Sequence, residues 1–213
     1  GVLSGLFGVG GGFLTTPLLI FYGIPPTVAA ASAASQVTGA SVSGVFAHLR
    51  RGGVDIPMGA VMVLGGVIGA VAGAFLFREL QQSGQIDTVI ALLYVLMLGG
   101  IGALMMRDAV QALRAERRGD AAPMARRHHP LIAALPFRWR FYGSGLYISP
   151  IAPLLLGIGT GVLTVLLGVG GGFILVPAML YLLGMSTKVV VGTSLFQILF
   201  VTAATTLIHA TTT

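Results

Sequence analysis

The chain has 213 residues, of which 55% are hydrophobic and 8% are charged, and its mean hydropathy is +0.95. A soluble domain carries about 25% charged residues, so this composition excludes a soluble globular protein and indicates an integral membrane protein. The net charge of +6 does not indicate nucleic-acid binding, because eight of the twelve Lys and Arg residues lie between Arg107 and Arg140, outside the apolar segments. Such clustering is typical of charge that orients a membrane protein.

The first apolar segment, residues 1–22, contains four glycines within five positions, at Gly8 and at Gly10, Gly11 and Gly12. Each glycine costs a helix about 1 kcal/mol relative to Ala, so this first glycine loop predicts an unwound stretch. Residues 27–49, which follow Pro25 and Pro26, predict a helix rich in Ala, Ser and Thr, a composition that favours close packing in lipid.

Residues 57–77 predict the next span, in which Gly65, Gly69 and Gly73 recur at four-residue spacing. Small residues at this spacing form a stripe along one helix face and allow near backbone contact with a neighbouring helix. A polar turn at 78–87 leads into another span over residues 86–106.

A basic connector separates this first part of the chain from the second. Within it, residues 109–118 predict a helical extension, and residues 130–142 mix aromatic residues with Arg as expected at a membrane interface. Residues 146–167 form the fifth apolar segment, and the remaining apolar segments cover residues 173–183 and 187–210.

The second part of the chain repeats the first. Residues 1–14 return as residues 161–174 with ten of the fourteen positions identical, and Gln36 corresponds to Gln197. A period near 160 residues is too long for a solenoid and indicates two homologous halves. Interrupted apolar segments at corresponding positions of two halves point to a transporter site between broken helices.

We therefore expect an all-α polytopic membrane protein with two homologous helical halves and discontinuous, glycine-broken helices. The first repeat covers residues 1–106, the basic connector 107–145 and the second repeat 146–213, all in one membrane domain. Because the first half has two more helices than the second, we expect a fragment that lacks part of a helix at its start and about two helices at its end.

Charge predicts the orientation. The connector at 107–143 is expected in the cytoplasm because Lys and Arg are enriched in cytoplasmic loops. Counting back places the turn at 78–87 outside and Arg50-Arg51 inside. Residues 146–183 are long enough for one membrane crossing followed by either a second crossing or a shorter re-entrant segment. Two crossings would place Lys188 on the cytoplasmic side. We favour this inverted arrangement of the two repeats.

The glycine loops are the main candidate for a binding site. Neither matches a nucleotide loop, since no Lys-Ser/Thr pair follows and Phe13 stands where the dinucleotide fingerprint needs Gly or Ala. Unwound amides in a membrane need a partner, and at a helix start that partner is typically an anion. Helix packing alone is the alternative. The candidate residues are Gly8, Gly10, Gly11 and Gly12 with Gly168, Gly170, Gly171 and Gly172.

Polar residues at corresponding points form the second candidate. Gln36 and Gln197 would donate side-chain amides to the anion, since a buried amide needs a partner. Ser35, Thr193 and Ser194 are secondary donors. The alternative for the hydroxyls is hydrogen bonding between helices, worth about 0.6 kcal/mol per contact.

His48 and His209 each end a span, where they serve either as interfacial residues or as proton or anion contacts. The apolar segments contain no Asp, Glu, Lys or Arg apart from Asp87 and Lys188, each at the start of a segment, so no carboxylate proton relay is expected. The chain has no cysteine, and we expect no metal, no cofactor and no enzymatic activity.

The residues also carry a family resemblance. The two Gly-Val-Gly-Gly-Gly-Phe loops, each followed four residues later by Pro17 or Pro177, resemble the sulfite exporter TauE/SafE family of membrane permeases. Residues 192–197 are similar to the second-repeat signature of that family. The resemblance implies about eight helices in two related halves in the bacterial inner membrane, and transport of sulfur-containing anions such as sulfite or organosulfonates.

The sequence thus predicts a permease that moves a small, sulfur-containing anion across the inner membrane, with export as the expected direction. Its expected partners are that anion, the lipid bilayer and further copies of itself in a homo-oligomer, but not nucleic acid. A passive anion channel and a non-transporting membrane scaffold subunit remain as alternatives.

Overall fold

A computed structural model describes residues 12–118, 139–141 and 143–212 of the chain. Within these ranges the chain forms seven helices and one pair of short strands, so the predicted all-α architecture is confirmed. In chain order they are α1 (Gly12–Phe21), α2 (Pro26–Arg50), α3 (Ile56–Gln82), α4 (Ile86–Arg118), β1 (Trp139–Phe141), β2 (Leu146–Ile148), α5 (Ile151–Leu167), α6 (Gly172–Tyr181) and α7 (Thr187–Thr212).

The outer surface and the helix lengths suit a bilayer. Three stretches are long and apolar enough to cross a membrane, Ile56–Gln82, Ile86–Gln111 and Val189–Ile208. Large apolar side chains on these helices point outward, and Leu64 and Val95 are 63% and 70% exposed. The expected integral membrane protein is therefore confirmed.

Prolines and glycines set most helix boundaries where the sequence predicts them. Pro26 occupies the first turn of α2, where its missing N–H costs nothing. The polar turn expected at 78–87 is shorter than predicted, because α3 continues to Gln82 and Gly84 turns the chain with a φ of 69°. Residues 78–82 are good helix formers, so the helix extends beyond its apolar part.

The fifth apolar segment begins as a strand and not as the predicted helix. Leu146–Ile148 pairs antiparallel with Trp139–Phe141 around the turn at Gly145, which has a φ of 68°. Pro150 disfavours helical backbone at the residue before it, so α5 starts only at Ile151. This hairpin buries Phe141 and Ile148 in an apolar cluster that contains Met58, near the start of α3.

Helices α3 and α5 are in direct backbone contact. A Cβ atom at Gly65 or Gly69 would overlap the carbonyl oxygen of Leu154 or Ile158 on α5. From the other side, a Cβ at Gly157 or Gly161 would overlap the carbonyl of Met62 or Gly66 on α3. The close approach predicted from the glycine stripe is therefore confirmed, and it joins a helix of the first half to a helix of the second.

Helices α2 and α7, which are corresponding segments of the two halves, pack antiparallel. Thr38 contacts Thr202, the Cα of Gly44 faces Leu195, and the Cα of Gly192 faces His48. Residue numbers on one helix thus rise as those on the other fall.

Helices α5 and α6 together lead the chain into the bundle and back to the side on which α5 starts. Ile148, just before α5, and Leu183, just after α6, share one apolar cluster, whereas Leu167 at the end of α5 lies in another with Phe77 and Tyr94. Helix α6 has ten residues and is therefore about 15 Å long, half the thickness of a bilayer core. The glycine loop between α5 and α6 lies at the bend.

Candidate functional site: a buried glycine loop between broken helices

The second glycine loop, residues 168–172, interrupts the helical structure inside the protein. Helix α5 ends at Leu167 and α6 begins at Gly172, and every residue of the loop is buried. Gly168, Gly170 and Gly171 have φ angles of 69°, 75° and 70°, which residues with a side chain rarely adopt. The predicted unwound stretch is therefore confirmed in the second half.

The loop is enclosed by three helices. A Cβ at Gly168 would overlap the carbonyl of Ala30 on α2. At Gly170 it would lie 2.9 Å from both Val37 of α2 and Ile198 of α7, and at Gly171 it would lie 2.9 Å from Thr160 of α5. The loop thus fits between the helices only because Gly168, Gly170 and Gly171 lack side chains.

Four consecutive backbone amides in this loop have no acceptor within the described part of the chain. The amide of Gly168 donates to the carbonyl of Thr164 at 2.9 Å, and the amides of Ile174 and Leu175 donate to the carbonyl of Gly171. No described residue accepts from the amides of residues 169–172. These amides lead into the N-terminus of α6, where the helix dipole favours negative charge. The arrangement can bind an anion.

The first glycine loop meets the second. Gly8, Gly10 and Gly11 lie outside the described residues, but Gly12 is buried as the first residue of α1. A Cβ on Gly12 would lie 2.8 Å from the carbonyl oxygen of Gly168 and 3.0 Å from the Cα of Val169. The described part of α1 and the start of α6 therefore meet at one junction inside the protein.

Gln197 reaches this junction through a threonine. Its side chain is fully buried, and its Nε2 donates to the Oγ1 of Thr160 at 3.2 Å. Its Oε1 has no hydrogen-bond partner among the described residues. Since Thr160 borders Gly171, Gln197 lies one side chain away from the loop.

The corresponding glutamine of the first half is placed differently. Gln36 and Ser35 are both exposed on α2, and the Ser35 hydroxyl donates to the carbonyl of Ala31 in its own helix. Helix α2 presents Val37 to the loop, and Thr38 reaches across to Thr202. The described structure does not bring Gln36 beside Gln197.

The other predicted polar residues of the second half lie closer to the start of α7 than Gln197 does. Thr193 is fully buried, and its Oγ1 accepts a hydrogen bond of 3.0 Å from the amide of Asp55. The buried Ser194 donates to the carbonyl of Val191. His48 lies beside Gly192 at this same level, and the side chain of His209 lies outside the described residues.

One buried carboxylate beside Thr193 is not predicted from the sequence. Asp55 is 1% exposed, and its Oδ1 and Oδ2 accept from the amides of Met58 and Ser144 at 3.2 and 2.7 Å. The residue escaped notice because it precedes the apolar span. An Asp two residues before Pro57 is, however, a recognisable helix N-cap pattern.

Two further residues at the junction, Thr160 and Tyr94, are also not predicted from the sequence. Thr160 joins Gln197 to the loop, and the hydroxyl of Tyr94 donates to the carbonyl of Leu167 at 2.6 Å. A tyrosine inside an apolar span is a usable signal, because a buried phenol normally has a hydrogen-bond partner. Nothing in the sequence identifies which carbonyl it would bind.

Comparison with known proteins places the whole chain in one family. Residues 1–213 match the family model described as Sulfite exporter TauE/SafE. The chain is 29% identical over 200 residues to a probable membrane transporter protein of Xylella fastidiosa (strain Temecula1), covering 93% of this chain and 65% of that protein. It therefore spans just under two thirds of that relative's length.

Two further relatives come from Bacillus subtilis and Arabidopsis thaliana. The chain is 28% identical over 208 residues to the probable membrane transporter protein YjnA of Bacillus subtilis, covering 96% of this chain and 73% of that protein. It is 30% identical over 118 residues to the Sulfite exporter TauE/SafE family protein 3 of Arabidopsis thaliana, covering 52% and 25%. No solved structure gives a significant match.

Proposed function

Since the chain belongs to the sulfite exporter TauE/SafE family, a family of membrane transporters and not of enzymes, we propose that it exports a small sulfur-containing anion, sulfite or an organosulfonate, across the bacterial inner membrane. The run of four buried amides at residues 169–172, for which the described residues provide no acceptor, carries this proposal. In a membrane interior such donors need a partner, and an anion satisfies several of them at once.

The proposed site holds the anion by hydrogen bonds and not by a formal positive charge. The proposed donors are the amides of the second glycine loop, and the amides of Gly8, Gly10 and Gly11, which lie outside the described residues, stay a prediction from the sequence. Gln197 adds its side chain, because rotating its amide group would exchange Oε1 for Nε2, and Thr160 would donate to Oε1 by turning its hydroxyl away from the carbonyls of Leu156 and Gly157. Gln36, Ser35, Thr193 and Ser194 stay as proposed contacts of other states of the transport cycle.

Alternating access around this junction is the proposed mechanism. The antiparallel packing of α2 and α7 supports an inverted arrangement of the repeats, with α1 and α6 leaving the junction at residues 12 and 172. Repeat-built transporters open alternately to either side by moving one bundle against the other around a fixed site. Outward movement of one negative charge is favoured by about 2.3 kcal/mol per 100 mV, inside negative, and can drive export without a proton relay.

We propose the cytoplasm for the connector and for the end of the bundle that carries Arg50 and Arg51. The hydrogen bond from Ser144 to Asp55 supports this, because it holds the end of the connector next to the loop that follows α2. Both regions then contribute to the positive charge expected on the cytoplasmic side.

A flux assay in liposomes tests the proposal. The full-length protein should give saturable sulfite or sulfonate flux, and Gln197→Ala should reduce it, more so when combined with Gln36→Ala. Gln81→Ala, an exposed glutamine near the end of α3, is the matched control and should leave flux unchanged.

The other outcomes separate the alternatives. Normal flux in the Gln36→Ala/Gln197→Ala double variant would rule out the site assignment. Flux that does not saturate with concentration would indicate an anion channel, and no flux for any anion would indicate a scaffold subunit.

A further inference from the structure

We propose that Thr16 donates a hydrogen bond to the transported anion, and that Tyr94 is a positioning residue that holds the entry to the second glycine loop. This inference rests on the proposed function, because it adds one hydroxyl of the first half, that of Thr16, to the anion site and a second, that of Tyr94, to the support of the loop. Neither residue stands out in the sequence as part of the glycine loops or the paired glutamines.

The hydroxyl of Thr16 is the starting observation. Thr16 is fully buried, and its Oγ1 has no hydrogen-bond partner among the described residues. Other buried threonines, Thr164 and Thr205 among them, donate to the carbonyl four residues earlier in their own helix. Thr16 makes no such bond within α1, and the hydroxyl of Tyr94, which lies beside it, competes with an anion for its proton.

The position of Thr16 places it at the junction. It lies four residues after Gly12 on α1 and therefore on the same helix face. The Cα of Gly12 faces the carbonyl of Gly168 and the Cα of Val169. The unpartnered hydroxyl thus sits one helical turn from the point where the two glycine loops touch.

Tyr94 connects the same region to the end of α5. Its buried hydroxyl donates to the carbonyl of Leu167 at 2.6 Å, and Leu167 immediately precedes the loop. The Thr16 hydroxyl lies beside the Tyr94 hydroxyl without meeting hydrogen-bond geometry. Carbonyls at a helix C-terminus carry partial negative charge, so engaging this one reduces its repulsion of a nearby anion.

The chemistry of this pair favours one class of anion. The loop amides approach the anion from the second half, whereas Thr16 approaches it from the first. Donors arriving from separate directions match an oxyanion with several acceptor oxygens, such as sulfite or a sulfonate. A chloride ion is smaller and spherical, so it gains less from the additional donor. Thr16 should therefore contribute to selectivity for oxyanions over chloride.

Concentration-dependent sulfite flux in liposomes, with chloride as competitor, tests the inference. Thr16→Val keeps the shape but removes the donor, and it should raise the KM for sulfite about tenfold, as expected for a hydrogen bond to a charged group. The inhibition constant of chloride should change far less. Thr16→Ser should restore the sulfite KM, and Thr205→Val, which removes a hydroxyl bonded within its own helix, should leave both values unchanged.

Tyr94→Phe should raise the sulfite KM while leaving the maximal rate near normal, with Tyr147→Phe, an exposed tyrosine, as control. A purely structural role for either residue would lower the amount of folded protein but not alter the ratio of sulfite to chloride affinity. If Thr16→Val does not fold, Thr16→Ala takes its place in the same comparison.

The results distinguish this inference from the function on which it rests. If the protein carries sulfite and responds to Gln197→Ala while Thr16→Val keeps the normal KM, the role of Thr16 is wrong and the proposed function stands. If the protein carries no anion, both are wrong.

Discussion

The hydroxyl of Thr38 donates a hydrogen bond of 2.9 Å to the hydroxyl of Thr202, joining the corresponding helices α2 and α7 of the two halves. The bond lies beside the second glycine loop, because Thr202 also borders the Cα of Gly170. It links the two repeats at the level of the proposed anion site.

Removing this bond should weaken the α2–α7 contact by a small, measurable amount. In a double-mutant cycle of Thr38→Val and Thr202→Val, the coupling in the free energy of unfolding should be about 0.6 kcal/mol. Unfolding in detergent measures it. Ser43→Ala is the control, since the Ser43 hydroxyl is exposed and bonds only within its own helix. A coupling of zero would contradict a stabilising bond between the repeats.

The glycine at the start of the second loop should not tolerate alanine. Gly168→Ala combines a positive φ with overlap on the carbonyl of Ala30, and should cost about 3 kcal/mol or more. Gly84→Ala is a matched control with nearly the same φ of 69° but open space around it, so it should cost only about 1–2 kcal/mol. Equal effects of both substitutions on thermal unfolding would show that packing around the loop is unimportant.

The contact between α3 and α5 should be equally sensitive. Gly69→Ala would place a methyl group on the carbonyl of Ile158 and should destabilise the protein by about 1–3 kcal/mol. Gly99→Ala on α4 has open space and should stabilise by up to about 1 kcal/mol through helix propensity. We expect Gly69→Ala to lower the melting temperature and Gly99→Ala to raise it. A lower melting temperature for both variants would contradict this prediction.

Asp55 should be required for stability at the connector end of the bundle. Asp55→Ala removes a helix cap and leaves the amide of Ser144 without its acceptor, which together should cost about 2–4 kcal/mol. Asp55→Asn keeps one acceptor oxygen, so its stability should lie between those of the unchanged protein and Asp55→Ala. Asp87→Ala, at an exposed position in the first turn of α4, should cost about 1 kcal/mol at most. A neutral Asp55→Ala substitution in a denaturation experiment would refute this role.

The helices were predictable because their signals are local. Apolar length, Pro26 at a helix start and glycines at turns each act within a few residues, and the four-residue stripe of Gly65, Gly69 and Gly73 lies on one helix. The run of glycines likewise predicted the break between α5 and α6, since its cost to a helix does not depend on the partner.

The contacts that the sequence does not predict each depend on a partner residue that lies far away in the chain. Leu146 is a strand residue only because residues 139–141 lie opposite it, and Asp55 is buried only because Ser144 and Thr193 meet it. Correspondence between repeats also does not fix the environment of a side chain. Gln36 and Gln197 occupy matching positions, yet one is exposed and the other buried, because their helices have different neighbours.

The backbone contact between α3 and α5 has a consequence for biosynthesis. Helix α3 enters the membrane with its glycine face uncovered, and α5 is not made until the connector has been translated. At roughly 5–20 residues per second, that face is exposed to lipid for several seconds. The two repeats therefore interlock only after both are synthesised, so the first repeat cannot complete its packing alone.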